Sequence, residues 1–60
     1  MRISLSMYLS VIDGNEVVII KDYNHQRTLF EGKKFMCPCI QSDVMAVYTK
    51  DGRIVIEVVE

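Results

Sequence analysis

The sequence predicts an α+β fold: a short N-terminal helix on a small antiparallel sheet built from two β-hairpins, about residues 16–31 and 43–59. Three observations point to it. Asp43 to Val59, DVMAVYTKDGRIVIEVV, sets two runs rich in Val, Ile, Tyr and Thr around Asp51-Gly52, a pair that tolerates the positive φ angles of a type I′ turn. Glu16 to Glu31 repeats that plan with EVVIIKD and RTLFE around a polar turn. Residues 3–12, ISLSMYLSVI, are amphipathic, and a lone sheet needs a cover.

The first block reads in two ways. As a helix, Leu5, Tyr8, Leu9 and Ile12 form one stripe at three- and four-residue spacing, Ser4 serves as N-cap and Gly14 suits the stop. As a strand, Ile3, Leu5, Met7, Leu9 and Val11 alternate with Ser4, Ser6, Tyr8 and Ser10, which gives an all-β alternative with residues 3–12 in the sheet. Leu, Met and Ser form strands less readily than Val, Ile or Thr, which favours the helix.

In the first hairpin, Val17, Val18, Ile19 and Ile20 make both faces of their strand apolar, so a central position is expected. With Asn24-His25 as the loop, Asp22 faces Arg27, Ile20 faces Leu29 and Ile19 faces Phe30. Phe35 to Ile40 then reads as a crossover that tucks Phe35, Met36 and Ile40 under the sheet. Pro38 lacks an amide proton and argues against a central strand there.

A two-residue loop at Asp51-Gly52 sets Lys50 opposite Arg53, Thr49 opposite Ile54, Tyr48 opposite Val55, Val47 opposite Ile56, Ala46 opposite Glu57 and Met45 opposite Val58. One face of this hairpin, Met45, Val47, Ile54, Ile56 and Val58, is the expected core face. The other carries Val44, Ala46, Tyr48, Val55 and Val59 beside Lys50, Arg53 and Glu57, more apolar than a face open to water requires. Val44, Ala46, Tyr48, Val55, Glu57 and Val59 are therefore the candidate interaction surface, with cover by the protein's own helix as the alternative.

Sixty residues predict a single domain spanning 1–60, and a chain this short buries only about 60% of the surface its unfolded form exposes. Half the residues are hydrophobic, a quarter are charged and the net charge is −1, a balance that excludes a disordered tail and gives no electrostatic case for nucleic acid. The second apolar face makes a homo-oligomer, most simply a dimer, the expected source of extra stability. Burying roughly 400 Å² more apolar surface would contribute about 10 kcal/mol gross, offset in large part by association entropy. The chain shows neither a signal sequence nor the ~20 apolar residues of a membrane span, so a soluble cytoplasmic protein with reduced Cys37 and Cys39 is expected.

Chemical motifs are few. Cys37-Pro38-Cys39 reads first as two small apolar side chains under the sheet. One alternative is a zinc site in which Cys37, Cys39 and His25 are completed by a second subunit, because a closed site needs about four ligands; the other is thiol redox chemistry, against which the lack of a thioredoxin-like βαβ pattern argues, and no other cofactor is expected. His25 sits in a polar turn beside no nucleophile, and its plain reading is a solvated side chain. Arg27, Lys33 and Lys34 are candidate phosphate contacts, which would make the protein a small-ligand or nucleotide-sequestering one with its site at an oligomer interface. Nothing supplies a convergent acid, base and nucleophile, and the chain reads as a non-enzyme.

The succession LSMYLSVIDGNEVVII, a polar turn with TLFEGK, a short connection and DVMAVYTKDGRIVIEV resembles a loose group of small uncharacterised proteins from phages and mobile elements of Gram-positive bacteria. The resemblance spans most of the chain and is one of pattern. MCPCI departs from it, since a longer polar or helical connection stands there in the group. The resemblance implies a short helix ahead of the first hairpin. It implies no activity, only a setting, that of a phage or mobile-element accessory protein; joined to the apolar sheet surface, that setting makes a homo-oligomeric, non-enzymatic module in the host cytoplasm that binds or inhibits a host defence or regulatory protein the expected function. The last hairpin also looks superficially like the closing hairpin of AbrB-type transcription factors. The basic residues that DNA binding would need in the first half are missing.

Overall fold

Val17–Asp22 (β1) and Arg53–Val59 (β4), each apolar on both faces, run side by side and parallel at the centre of a four-stranded mixed sheet. Arg27–Lys33 (β2) and Asp43–Lys50 (β3) form its edges, each antiparallel to its hairpin partner, in the order β2-β1-β4-β3. This computed structural model describes residues 3–38 and 40–59. Both hairpins and the central place of β1 agree with the sequence reading, whereas the wholly antiparallel sheet does not. The reason lies in the connection. Residues 34–42 begin beside Glu16 at one end of the sheet and finish where Asp43 pairs with Val59 at the other, so β3 starts out parallel to β2 and returns β4 parallel to β1.

The N-terminal block is a helix, Leu5–Leu9 (α1), with Ser4 in extended conformation accepting the Met7 N–H at 3.3 Å. It ends before Gly14. Ser10 closes it, its hydroxyl donating to the Met7 carbonyl at 2.6 Å, and Gly14 lies beyond without a positive φ. Leu5, Leu9, Ile20, Ile56 and Val58 are buried together, with Tyr8, Ile12, Phe30, Cys37, Ile40, Val44 and Ile54 packed around them. This core lies wholly on one face of the sheet.

Two bulges correct the expected registers. In the first hairpin Asp22 faces Arg27 as expected, but Ile20 faces Phe30 and Ile19 faces Glu31, because Leu29 is an extra residue on β2. The bulge carries the Phe30 ring to the core, and a Cβ at Gly32 would come within 3.3 Å of that ring. In the second hairpin five of the six expected pairs hold. The sixth fails: Val44, not Met45, faces Val58. Two hydrogen bonds fix the backbone here, from Val44 N–H to the Ile3 carbonyl at 2.7 Å and from Leu5 N–H to the Ser42 carbonyl at 2.8 Å.

Burial changes accordingly. Ile54, Ile56 and Val58 face the core as expected, while Met45 and Val47 are exposed on the edge strand that α1 scarcely reaches. Of the crossover, Ile40 packs inward, but Phe35 and Met36 stand in solvent because the Lys34–Met36 turn hugs Gly14 through its backbone. Among the described residues no helix is long and apolar enough to cross a membrane.

Candidate docking surface

With α1 and the crossover on one side, no described element covers the other face of the sheet. Cross-strand pairing places Ile19 beside Val55 and Tyr48 beside Val55, so the three share that outer face. Around them Lys21, Thr28, Glu31, Lys50, Asp51 and Arg53 complete a shallow recess of about 300 Å³. Val55 is only 2% exposed although no described element covers it, whereas Tyr48 is 41% exposed. Neighbouring side chains wall Val55 in, and the recess has an aliphatic floor with a polar rim of mixed charge, Lys21, Lys50 and Arg53 with Glu31 and Asp51.

The rim is partly tied together. Arg53 Nη1 donates to Glu31 Oε2 at 3.0 Å, reaching across β1, and both side chains are half exposed, so the pair contributes at most about 1 kcal/mol. Glu57 accepts from Gln26 Nε2 at 3.4 Å. Among the described residues Lys21, Lys33 and Lys50 make no ion pair.

Of the expected interaction surface, Ala46, Tyr48, Val55 and Glu57 do share the outer face. Val44 does not, since the Met45 bulge turns it to the core. Val59 is half-buried at the far end of β4, where it lines a second recess with Ser4, Ser6, Ile40, Gln41, Ser42 and Asp43. Ile19, Lys21 and Glu31 were not among the expected residues. Their alternation in the first hairpin was legible, but only the parallel joining of β1 to β4 brings them to Val55.

The expected phosphate cluster does not converge. Arg27 and Lys33 open and close β2, roughly 20 Å apart along an extended strand, and Lys34 starts the turn beyond. The cysteine and histidine ligands are likewise divided. His25 lies in the β1-β2 turn, its ring N–H donating from Nδ1 to Asp22 Oδ2 at 2.8 Å, while Cys37 follows the opposite end of β2 and packs against the core. Cys39 lies outside the described residues. Among those described, no three His, Cys, Asp or Glu side chains come together as metal ligands.

The Asp22 carboxylate also accepts the Asn24 N–H at 3.0 Å. The His25 hydrogen bond, chiefly, and that backbone bond hold its pKa below the usual aspartate value against the opposing effect of desolvation. This is local chemistry of the β1-β2 turn, away from the recess. No protein family, curated protein or solved structure matches the chain.

Proposed function

We propose that the chain is a non-enzymatic interaction module that docks other macromolecules on its outer sheet face. The observation that supports this most directly is the recess on a face that no described element shelters, where half-buried Ile19 and exposed Tyr48, over a buried Val55, give accessible apolar area with a polar handle. The sheet edges are poor alternatives. Each edge strand is bulged, at Leu29 and at Met45, and residues 3–5 bond to the start of β3, so strand addition is blunted at both sides.

In the setting that the sequence pattern resembles, an accessory protein of a phage or mobile element, the partner would be a host protein whose activity the docking blocks. A small homo-oligomer belongs to the same reading, with exposed Met7, Val11, Phe35 and Met36 as apolar surface outside the recess. Tagged wild-type chain and Tyr48→Glu, compared in host lysate, test the docking face. A partner retained by both forms equally removes the outer face from the interaction. Light scattering gives the assembly size.

A second reading rests on the recess itself. Its volume of about 300 Å³ is at the lower end of ligand pockets, and Lys21, Lys50 and Arg53 stand where an anionic small molecule would need donors. A nucleotide panel in thermal shift separates the two, since a ligand at about one hundred times its Kd stabilises by about 2.7 kcal/mol. An unshifted melting temperature throughout removes it.

A further inference from the structure

Charge is segregated along this chain. From Ile3 to Ile12 and from Phe35 to Ser42 there is no charged residue, and these two segments lie over the core through Leu5, Tyr8, Leu9, Ile12, Cys37 and Ile40. Their outward side is apolar. Met7 is 64% exposed, Val11 80%, Phe35 64% and Met36 66%, the highest values among the exposed large hydrophobic side chains described. The four are neighbours. Met7 and Val11 stand at i and i+4, Phe35 and Met36 are consecutive, and the Phe35 N–H donates at 3.1 Å to the carbonyl of Gly14, just beyond Val11 in the chain. Together they present on the order of 500 Å² of apolar surface, the upper part of what an ordinary monomer leaves exposed in one patch.

The chemistry of this layer selects its occupant. A lipid surface calls for cations on the polar side of the helix, and α1 has serines there. A foreign protein is selected by charges and hydrogen-bonding groups that match its own. This layer withholds both, since Ser4 Oγ accepts the Met7 N–H and Ser10 Oγ donates to the Met7 carbonyl, each within the helix. A second copy needs neither. Two-fold pairing sets a patch against itself, so charges near the axis meet their like, a cost that a charge-free layer escapes. The chain also has the need: among the described residues ten large hydrophobic side chains are exposed and seven apolar ones are buried, in a domain whose size leaves a thin margin. Cα extents of 26 × 21 Å bound one face to roughly 550 Å², so two copies would bury about 1,100 Å² in all, the range of a weak dimer in exchange with monomer.

We propose that two copies of the chain pair through the charge-free layer of α1 and the crossover, with Met7, Val11, Phe35 and Met36 at the interface. This rests on the interaction-module reading above and gives its homo-oligomer a face. The outer sheet faces then point away from one another, and the dimer offers two docking faces at once. A partner that carries two matching sites gains by effective concentration.

Sedimentation of the full sixty-residue chain from about 5 μM to about 1 mM tests it. A monomer–dimer equilibrium with a Kd on the order of 10 μM is expected, unchanged within about threefold between about 0.05 and about 0.5 M salt because the interface pairs no charges. Met7→Glu and Phe35→Glu are each expected to weaken it by at least about tenfold, since a two-fold interface meets every substitution twice. Misfolding does not explain such a loss for Met7→Glu: Ser4 is the N-cap, and a glutamate three residues after it completes a capping box. Tyr48→Glu is expected to leave the dimer intact while abolishing capture of a partner from lysate, so self-pairing and docking fail separately. A chain that stays monomeric to about 1 mM overturns the proposal and leaves the docking face standing. A dimer that resists both glutamate substitutions in the layer, that loses about tenfold in affinity with salt, or that Tyr48→Glu disrupts also overturns it.

Discussion

Val44 stands opposite Val58, and Met45 is the extra residue that makes this pairing possible. One inserted position thereby exchanges a flexible thioether for a branched aliphatic at the core. Val44→Ala removes two methyl groups from a half-buried site and is expected to cost about 1 kcal/mol, whereas Met45→Ser is expected to stay within about 0.5 kcal/mol. Urea denaturation of the two variants checks this. A larger loss for Met45→Ser would mean that Met45, as unbroken alternation has it, faces the core.

Bulges are also what limited the reading of the sequence. The turn at Asp51-Gly52, the Ser4 cap and the central place of VVII follow from local chemistry, and all are found. Period-two alternation counts residues but not insertions, so it carried Leu29 and Met45 to the wrong face and with them Val44. The parallel join of β1 to β4 depends on which end of the sheet the 34–42 connection reaches, and no short-range signal encodes that. Half of the candidate surface was therefore visible as Ala46, Tyr48, Val55 and Glu57, and the Ile19–Lys21–Glu31 half was not.

The second turn bears a direct test. Asp51 and Gly52 have φ of +53° and +75°, the two positive angles of a type I′ turn, and open space surrounds Gly52. Gly52→Ala thus meets no clash and is opposed by backbone conformation alone, at about 1–2 kcal/mol. Asp51→Asn keeps a residue suited to that region and is expected to be neutral within about 0.5 kcal/mol. Chemical denaturation of both variants gives the comparison. Equal stability of Gly52→Ala and wild type would exclude the left-handed geometry.

At the other end of the molecule, Leu5 anchors the helix twice: its side chain is fully buried in the core and its N–H bonds to Ser42. Leu5→Ala is expected to cost about 2–5 kcal/mol, a loss that a sixty-residue domain of ordinary marginal stability barely survives. Ser4→Ala removes the acceptor for Met7 N–H and is expected to cost about 1 kcal/mol. Circular dichroism melts report both. Cooperative melting of Leu5→Ala at the wild-type temperature would show that α1 does not hold the core.

Acid should loosen the first hairpin through Asp22. Its carboxylate is held below the usual aspartate range, chiefly by the His25 hydrogen bond, so the folded state binds this proton less readily than the unfolded chain. The sign follows: the contribution is fully present above the unfolded value and is lost as pH falls through the lowered folded one. Asp22→Asn lacks that term, and its stability deficit against wild type is expected to shrink on acidification below about pH 4. His25→Ala isolates the cause, since without the ring N–H the Asp22 carboxyl resonance should titrate at higher pH, nearer the ordinary range. If carbon-detected NMR finds the titration unmoved, the Asn24 N–H, which also bonds that carboxylate, would be its principal support.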